Sequence, residues 1–272
     1  MYNLKIVVCD QRIEIYKVIN YAINEKGTKE EFYRFVNEEL EEGEERKDTR
    51  KTTNENRIDT LNKARNNIIR LIKCNSDMNV FLTLTFAKES NYKESKKYLN
   101  NLFNKLRRDY KGLKYIWVLE YGENGTHRLH YHVLTNIPID INLSTSKEYK
   151  TKEHKELEQK FKQQYWKYGF VDIRKLNDEG NTNVALYVSS YIVKSMKDIS
   201  LNGYRIYGYS YKTMDKPRIY KSMDKRTIEE ILNYYSNLGY KMSYSNSYDV
   251  GYTKDGKTHK GKVAYFDFER GD

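Results

Sequence analysis

The sequence predicts an α+β fold with a single central antiparallel sheet flanked by helices. Two observations carry this. Segments with apolar residues at spacings of three and four alternate with short segments of period two. The two best strands, 115–121 (YIWVLEY) and 129–134 (LHYHVL), are separated by a Glu123–Asn124–Gly125 turn, which is the pattern of an antiparallel hairpin.

The elements follow in order. Residues 4–19 read as two short strands around Asp10–Gln11. Residues 30–49 hold nine acidic and three basic residues and read as a solvated segment. Ile58, Leu61, Ala64, Ile68, Leu71 and Ile72 make 57–74 a helix, stopped by Asn75–Ser76–Asp77. Val80–Phe86 (VFLTLTF) is the strongest strand, with Phe81, Thr83 and Thr85 on one face. Leu99, Leu102, Phe103, Leu106 and Tyr110 form one stripe of a helix over 92–110. The periodicity predicts a further helix over 150–168 with Gly169 as its C-cap, then a strand at 170–174. Helices follow over 183–197 and 227–238, and a hairpin over 251–268 around Asp255–Gly256. The expected organisation is an N-terminal extension with an acidic segment (1–56), one main domain (57–240) and a C-terminal tail or hairpin (241–272).

The chain has 272 residues and a formal net charge of +11, with 27 Tyr. A basic chain points to polyanions, and Tyr beside Lys and Arg suits base stacking and phosphate neutralisation. AT-rich codon bias explains a Tyr excess equally well. The mean hydropathy is −0.91 and no apolar run approaches ~20 residues, so no membrane partner is expected. The N-terminus shows no secretory leader. Two cysteines, Cys9 and Cys74, form neither a metal spacing nor a disulfide framework.

Residues 251–258 (GYTKDGKT) satisfy the P-loop pattern but lack the strand before and helix after that a phosphate cradle needs, so no ATP is expected. His130 and His132 sit two apart on a strand and therefore share a face, where two imidazoles can grip one divalent metal. The same spacing suits two strand histidines with no metal. Glu120, at the end of the preceding strand, comes near them if the hairpin forms. Tyr187, Tyr191, Lys194 and Asp198 lie on one stripe of the 183–197 helix. A tyrosine hydroxyl there can act as a nucleophile or simply pack. DNA contact is expected from the basic helix 92–111 (Lys105, Arg107, Arg108), from 204–226 (Lys212, Arg218) and from Arg128. Tyr207, Tyr209 and Tyr211 could stack on bases.

A Thr-rich strand, a His-x-His strand and a Tyr-x-x-Lys helix occur in that order. EYGENGTHRLHYHVL, WKYGFVDIRKL, YVSSYIVK and YSYKTMDKP extend the pattern over about 57–220. This set resembles the HUH endonucleases, specifically the rolling-circle replication initiators (Rep proteins) of small phages and bacterial plasmids. The resemblance implies a ferredoxin- or RRM-like sheet and metal-dependent cleavage and joining of single-stranded origin DNA. His130, His132 and Glu120 would hold Mg²⁺ or Mn²⁺. Tyr191 would form a 5′-phosphotyrosine, with Tyr187 as second tyrosine and Lys194 positioning the phosphate. Host helicase and polymerase would be partners in a bacterial cytoplasm. Ser190 stands where such helices commonly carry Lys before the second Tyr, which leaves Tyr191–Lys194 as the intact pair. A relaxase or single-strand transposase shares this chemistry. A non-catalytic nucleic-acid-binding module and a hydrolase using water are the other readings.

Overall fold

The computed structural model describes residues 2–9, 12–19, 53–121, 128–143, 149–176, 181–196, 204–254 and 257–270. The acidic segment 30–49, the Glu123–Gly125 and Asn177–Gly180 turns, His127 and Asp198 lie outside these residues. Among the described residues there are ten strands and five helices, and the chain divides into two compact units. The α+β class with antiparallel pairing is as expected, but there are two five-stranded sheets rather than one.

One unit comprises residues 51–216. Its sheet has the order β6–β3–β5–β4–β7, with β3 (Val80–Phe86), β4 (Tyr115–Tyr121), β5 (Leu129–Thr135), β6 (Gly169–Lys175) and β7 (Tyr207–Tyr209). Every neighbouring pair is antiparallel. Strand alternation divides this sheet into two different faces. Leu82, Leu84, Trp117, Leu119, Tyr131, Val133 and Ile173 point to one face, and all are buried. Helix α2 (Tyr92–Asp109) covers that face: Phe103 stacks on Tyr115 at 3.7 Å, and Ser95 Oγ lies 2.8 Å from the Tyr131 hydroxyl. Asn91 caps α2 by accepting from the Glu94 amide at 2.9 Å. On the opposite face, α4 (Asn181–Met196) packs against β4 and β5 through buried Val184, Ala185 and Val188, and α1 (Thr53–Lys73) packs on α4.

The helix expected over 150–168 is shorter. Thr151 caps α3 (Lys152–Gln164), and Tyr165 ends it. Gly169 is not its C-cap but the first residue of β6, where it meets the end of β3. A Cβ on Gly169 would lie 1.9 Å from the Thr85 carbonyl oxygen and 2.6 Å from the Ala87 nitrogen. Glycine is required here by close backbone approach, not by a helix end.

The other unit joins the two ends of the chain, residues 1–50 and 217–272. Its sheet has the order β8–β1–β2–β10–β9, with β1 (Leu4–Cys9), β2 (Arg12–Ile19), β8 (Arg218–Ser222), β9 (Tyr240–Lys254) and β10 (Lys257–Arg270). The N-terminal hairpin pairs with β10, so the expected extension and tail form one sheet; the divisions fall at 50/51 and 216/217 rather than at 56/57 and 240/241. Helix α5 (Ile228–Asn237) buries Ile231 and Tyr235 among Leu4, Ile13, Ile15 and Phe268. A reciprocal capping box of Thr227 and Glu230 starts it. The P-loop-like 251–258 segment joins strand to strand, as the flanking sequence implies.

Gly169→Ala is expected to destabilise the protein by about 1–3 kcal/mol, because the added methyl collides with backbone and not with a movable side chain. Urea unfolding monitored by circular dichroism measures this. Unchanged stability would mean that β6 separates from β3 without cost.

Candidate functional site

Register builds the site. Glu120 pairs with His130 across β4 and β5, while Thr85 pairs with His130 and Thr83 with His132 across β3 and β5. These five side chains therefore share the face covered by α4. Phe81, Asp172 and Arg174 join them through pairing of Phe81 with Arg174 and of Thr83 with Asp172.

Each imidazole is held at Nδ1. Thr85 Oγ1 lies 2.9 Å from His130 Nδ1, and Thr83 Oγ1 lies 3.3 Å from His132 Nδ1. A threonine accepting from Nδ1 leaves the Nε2 lone pair as a metal donor, the usual way an outer residue orients a ligating histidine. His132 Nε2 lies 2.8 Å from Glu120 Oε2. A bare lone pair and a carboxylate oxygen repel at that distance, so a proton or a cation must lie between them. Lys194 Nζ sits 3.5 Å from the other oxygen of Glu120. Burial would raise the Glu120 pKa, but the His132 contact and the Lys194 charge outweigh it and hold the carboxyl below its ordinary value. Burial and then His132 push the His130 pKa down, which keeps that imidazole neutral. The donor types and their second contacts thus suit Mg²⁺ or Mn²⁺. Among the described residues, however, no three His, Cys, Asp or Glu side chains converge as a metal-holding group. The Glu120–His132 contact would have to open to admit an ion.

Helix α4 brings its tyrosines onto this face. The Tyr191 ring stacks on His132 at 3.8 Å and 24°. The Tyr191 hydroxyl donates to that of Tyr187 at 2.7 Å, one helical turn away. Tyr187 packs edge-on against Phe81 at 5.2 Å and is 43% exposed, whereas Tyr191 is half-buried. Burial, then the Tyr187 contact and the Glu120 charge, push the Tyr191 phenol well above its ordinary range; Arg174 pulls the other way. His132, Phe81, Thr83, Lys150, Asp172, Arg174, Tyr187 and Tyr191 line one cleft of about 410 Å³.

Lys150, Asp172 and Arg174 are site residues that the sequence reading did not single out. Arg174 Nε donates to Asp172 at 2.7 Å, and Lys150 Nζ lies 2.6 Å from the same carboxylate and 2.5 Å from Glu158. Asp172 and Arg174 are two apart in FVDIR, the same alternation that marks His130 and His132, and that was the available signal.

The basic residues read as DNA contacts are distributed differently. Arg128 is half-buried, and its charge helps to depress the His130 pKa, so it lies at the site. Lys105, Arg107 and Arg108 are on α2, which covers the opposite face of the sheet. They are engaged there: Lys105 donates to the Gln164 carbonyl, Arg107 to the Tyr115 hydroxyl and Arg108 to Asp109. The apolar stripe of α2 dictates this, because it packs on Tyr115 and Tyr131 and not on the histidine face. Lys212 is exposed in the turn after β7, and Arg218 is exposed on β8 of the other unit. Tyr207 and Tyr209 are half-buried against the core, and Tyr211 is exposed.

A Glu120→Gln variant tests the electrostatics. A carboxyl whose folded pKa is held below its unfolded value contributes stability above about 4.5, and that contribution is lost as pH falls through the folded pKa. The stability difference between wild type and variant is therefore largest near neutral pH and shrinks on acidification. Urea titrations at several pH values measure it; a difference independent of pH contradicts the pairing.

Residues 79–196 match the family model for the replication-associated protein ORF2 family. The match starts one residue before β3 and ends at the last residue of α4, so it takes in every side chain that lines the cleft. Neither the curated proteins nor the solved structures give a match. No helix among the described residues is long and apolar enough to cross a membrane. The matched region is similar to replication-associated proteins, which supports a replication-initiator role.

Proposed function

We propose that this protein is a rolling-circle replication initiator that cuts and rejoins single-stranded origin DNA through Tyr191. The observation that carries the reading is the stack of Tyr191 on His132 within a cleft that also holds Glu120-bound His132, Lys194-bound Glu120 and Arg174. A nucleophile, candidate metal donors and cations meet at one place, as cleavage of a phosphodiester requires.

His130, His132 and Glu120 would hold Mg²⁺ or Mn²⁺, which when bound supplies positive charge to the phosphate oxygens. Tyr191 Oη attacks phosphorus, the P–O3′ bond breaks, and its electron pair leaves with O3′, which takes up a proton to become a free 3′-OH. The phenol proton passes toward the Tyr187 hydroxyl that Tyr191 already contacts. The product is a 5′-phosphotyrosine, and attack of a 3′-OH on it reverses the step and joins strands. Tyr187, exposed and one turn away, is the candidate second nucleophile. Lys194 steadies Glu120 and lies beside the phosphate. No ATP enters this chemistry, so strand opening falls to a host helicase and synthesis to a host polymerase.

The test incubates the protein and Mn²⁺ with labelled single strands tiling the DNA that encodes it. A covalent adduct on a denaturing gel is expected, absent in EDTA and in His130→Ala. Tyr191→Phe should lower its yield on the order of a hundredfold or more. No adduct on any strand, or one that survives in the Tyr187→Phe/Tyr191→Phe double variant, would sink the proposal.

A further inference from the structure

A second cluster of cations and aromatic rings lies on the α2 face of the same sheet, beside β7. Lys96, on the second turn of α2, places its ammonium 3.6 Å from the centroid of the Trp117 ring. Trp117 lies across β7 because residue 208 is glycine; a Cβ there would be 2.7 Å from the indole nitrogen. Tyr92, at the start of α2, clasps the chain leading into β7. Its hydroxyl donates to the Arg205 carbonyl at 3.1 Å and accepts from the Arg205 amide at 3.2 Å. Tyr204 stacks on the Tyr92 ring at 4.2 Å and 22°, and stays 48% exposed.

The charges of this cluster are unbalanced. Lys96 is half-buried, and no carboxylate among the described residues bonds to it. The charge acting on it is another cation, Arg205. Burial first, and then Arg205, push the ammonium down to about 8. Elsewhere in this unit, Lys114, Lys150, Arg174 and Lys194 each have a carboxylate within 4 Å. A half-buried cation set beside a second cation is costly unless an anion joins them.

We infer that Lys96, Arg205, Tyr92 and Tyr204 form a second binding site for single-stranded nucleic acid, separate from the histidine cleft. A backbone phosphate lies between the ammonium and the guanidinium, and one base stacks on the open side of Tyr204. That combination of basic groups with an exposed ring is how single strands are held without sequence preference. The position fits a strand that also enters the cleft. Leu119 donates to the Ile206 carbonyl, which places Arg205 beside Glu120 at the same end of β4. The inference deepens the proposed function, and rests on it, by naming where a strand is held beyond the reacting phosphate.

Fluorescence anisotropy of a labelled oligo-dT of about 20 nucleotides, in EDTA so that no cleavage occurs, tests it. Tyr204→Ala and Lys96→Met should each weaken binding about fivefold or more. Lys96→Met keeps the packing on Trp117, and it should reduce the slope of log affinity against log salt by about 0.7; Lys96→Arg should restore it. Wild-type binding that neither variant alters, or no wild-type binding, overturns the site. The adduct assay reads the cleft independently. An adduct with unaltered oligo-dT affinity in both variants rejects this site alone, and weakened affinity without any adduct rejects the cleavage chemistry alone.

Discussion

The register of β5 between β3 and β4 is the constraint on which the cleft depends. Side chains alternate along a strand, so a one-residue slip would turn His130 and His132 into the apolar layer and Tyr131 toward α4. Nothing on the polar face is strong enough to forbid that slip. The opposite face forbids it: Leu82, Leu84, Leu119, Tyr131 and Val133 are each fully buried beneath α2, at roughly 1.5–3 kcal/mol for each side chain withdrawn from water. Residues with no chemistry of their own thus fix Glu120 opposite His130 and Thr83 opposite His132. Gly169 completes the frame by letting β6 close on the end of β3, which sets Asp172 and Arg174 beside the histidines.

Electrostatics in the cleft follow from that frame. Three carboxylates, Glu120, Asp172 and Glu158, face three cations, Lys194, Arg174 and Lys150, in contacts of 2.5–3.5 Å. The cations are therefore held in place by carboxylates before any phosphate arrives. Asp172 illustrates the balance: burial would raise its pKa, but Arg174 and Lys150 hold it down and keep it ionised. Tyr191 faces the opposite bias. Buried against His132 and near the Glu120 charge, its phenol resists ionisation, and Arg174 is the group that opposes this. A phosphate that drew Arg174 or Lys194 away from its carboxylate would change the field at Tyr191 at the same moment that it supplied the reacting centre.

How much of this was legible depended on whether the cue was local. Strands β3, β4 and β5, helix α2 and the helix bearing both tyrosines follow from periodicity alone, because each carries its own apolar pattern. The sharing of one face by His130, His132 and Glu120 followed from the two-residue period and one hairpin. The second sheet did not, because its strands come from both ends of the chain and nothing in MYNLKIVVC announces that RIEIYKVI will pair with VAYFDFER. Gly169 was misread for a related reason: glycine after a helical run suits a C-cap, and only the approach of β3 reveals its role. Asp172 and Arg174 showed alternation but no motif, and Lys150 none at all, since it reaches Asp172 across 22 positions.

The distribution of charge makes the same point about function. A net charge of +11 and a basic helix suggested that α2 would bind DNA along its length. In the fold, Lys105, Arg107 and Arg108 each have a partner within the protein, and for Arg107 that partner is a core tyrosine hydroxyl at 2.8 Å. Such a side chain can approach a phosphate only by giving up a contact it already makes. Lys96, one turn into the same helix, has an aromatic ring and a second cation instead. A cation attracts a polyanion to the extent that its own fold leaves it uncompensated. Counting basic residues along a sequence cannot separate Lys96 from Lys105, because the difference lies in which neighbours β4 and β7 bring to each.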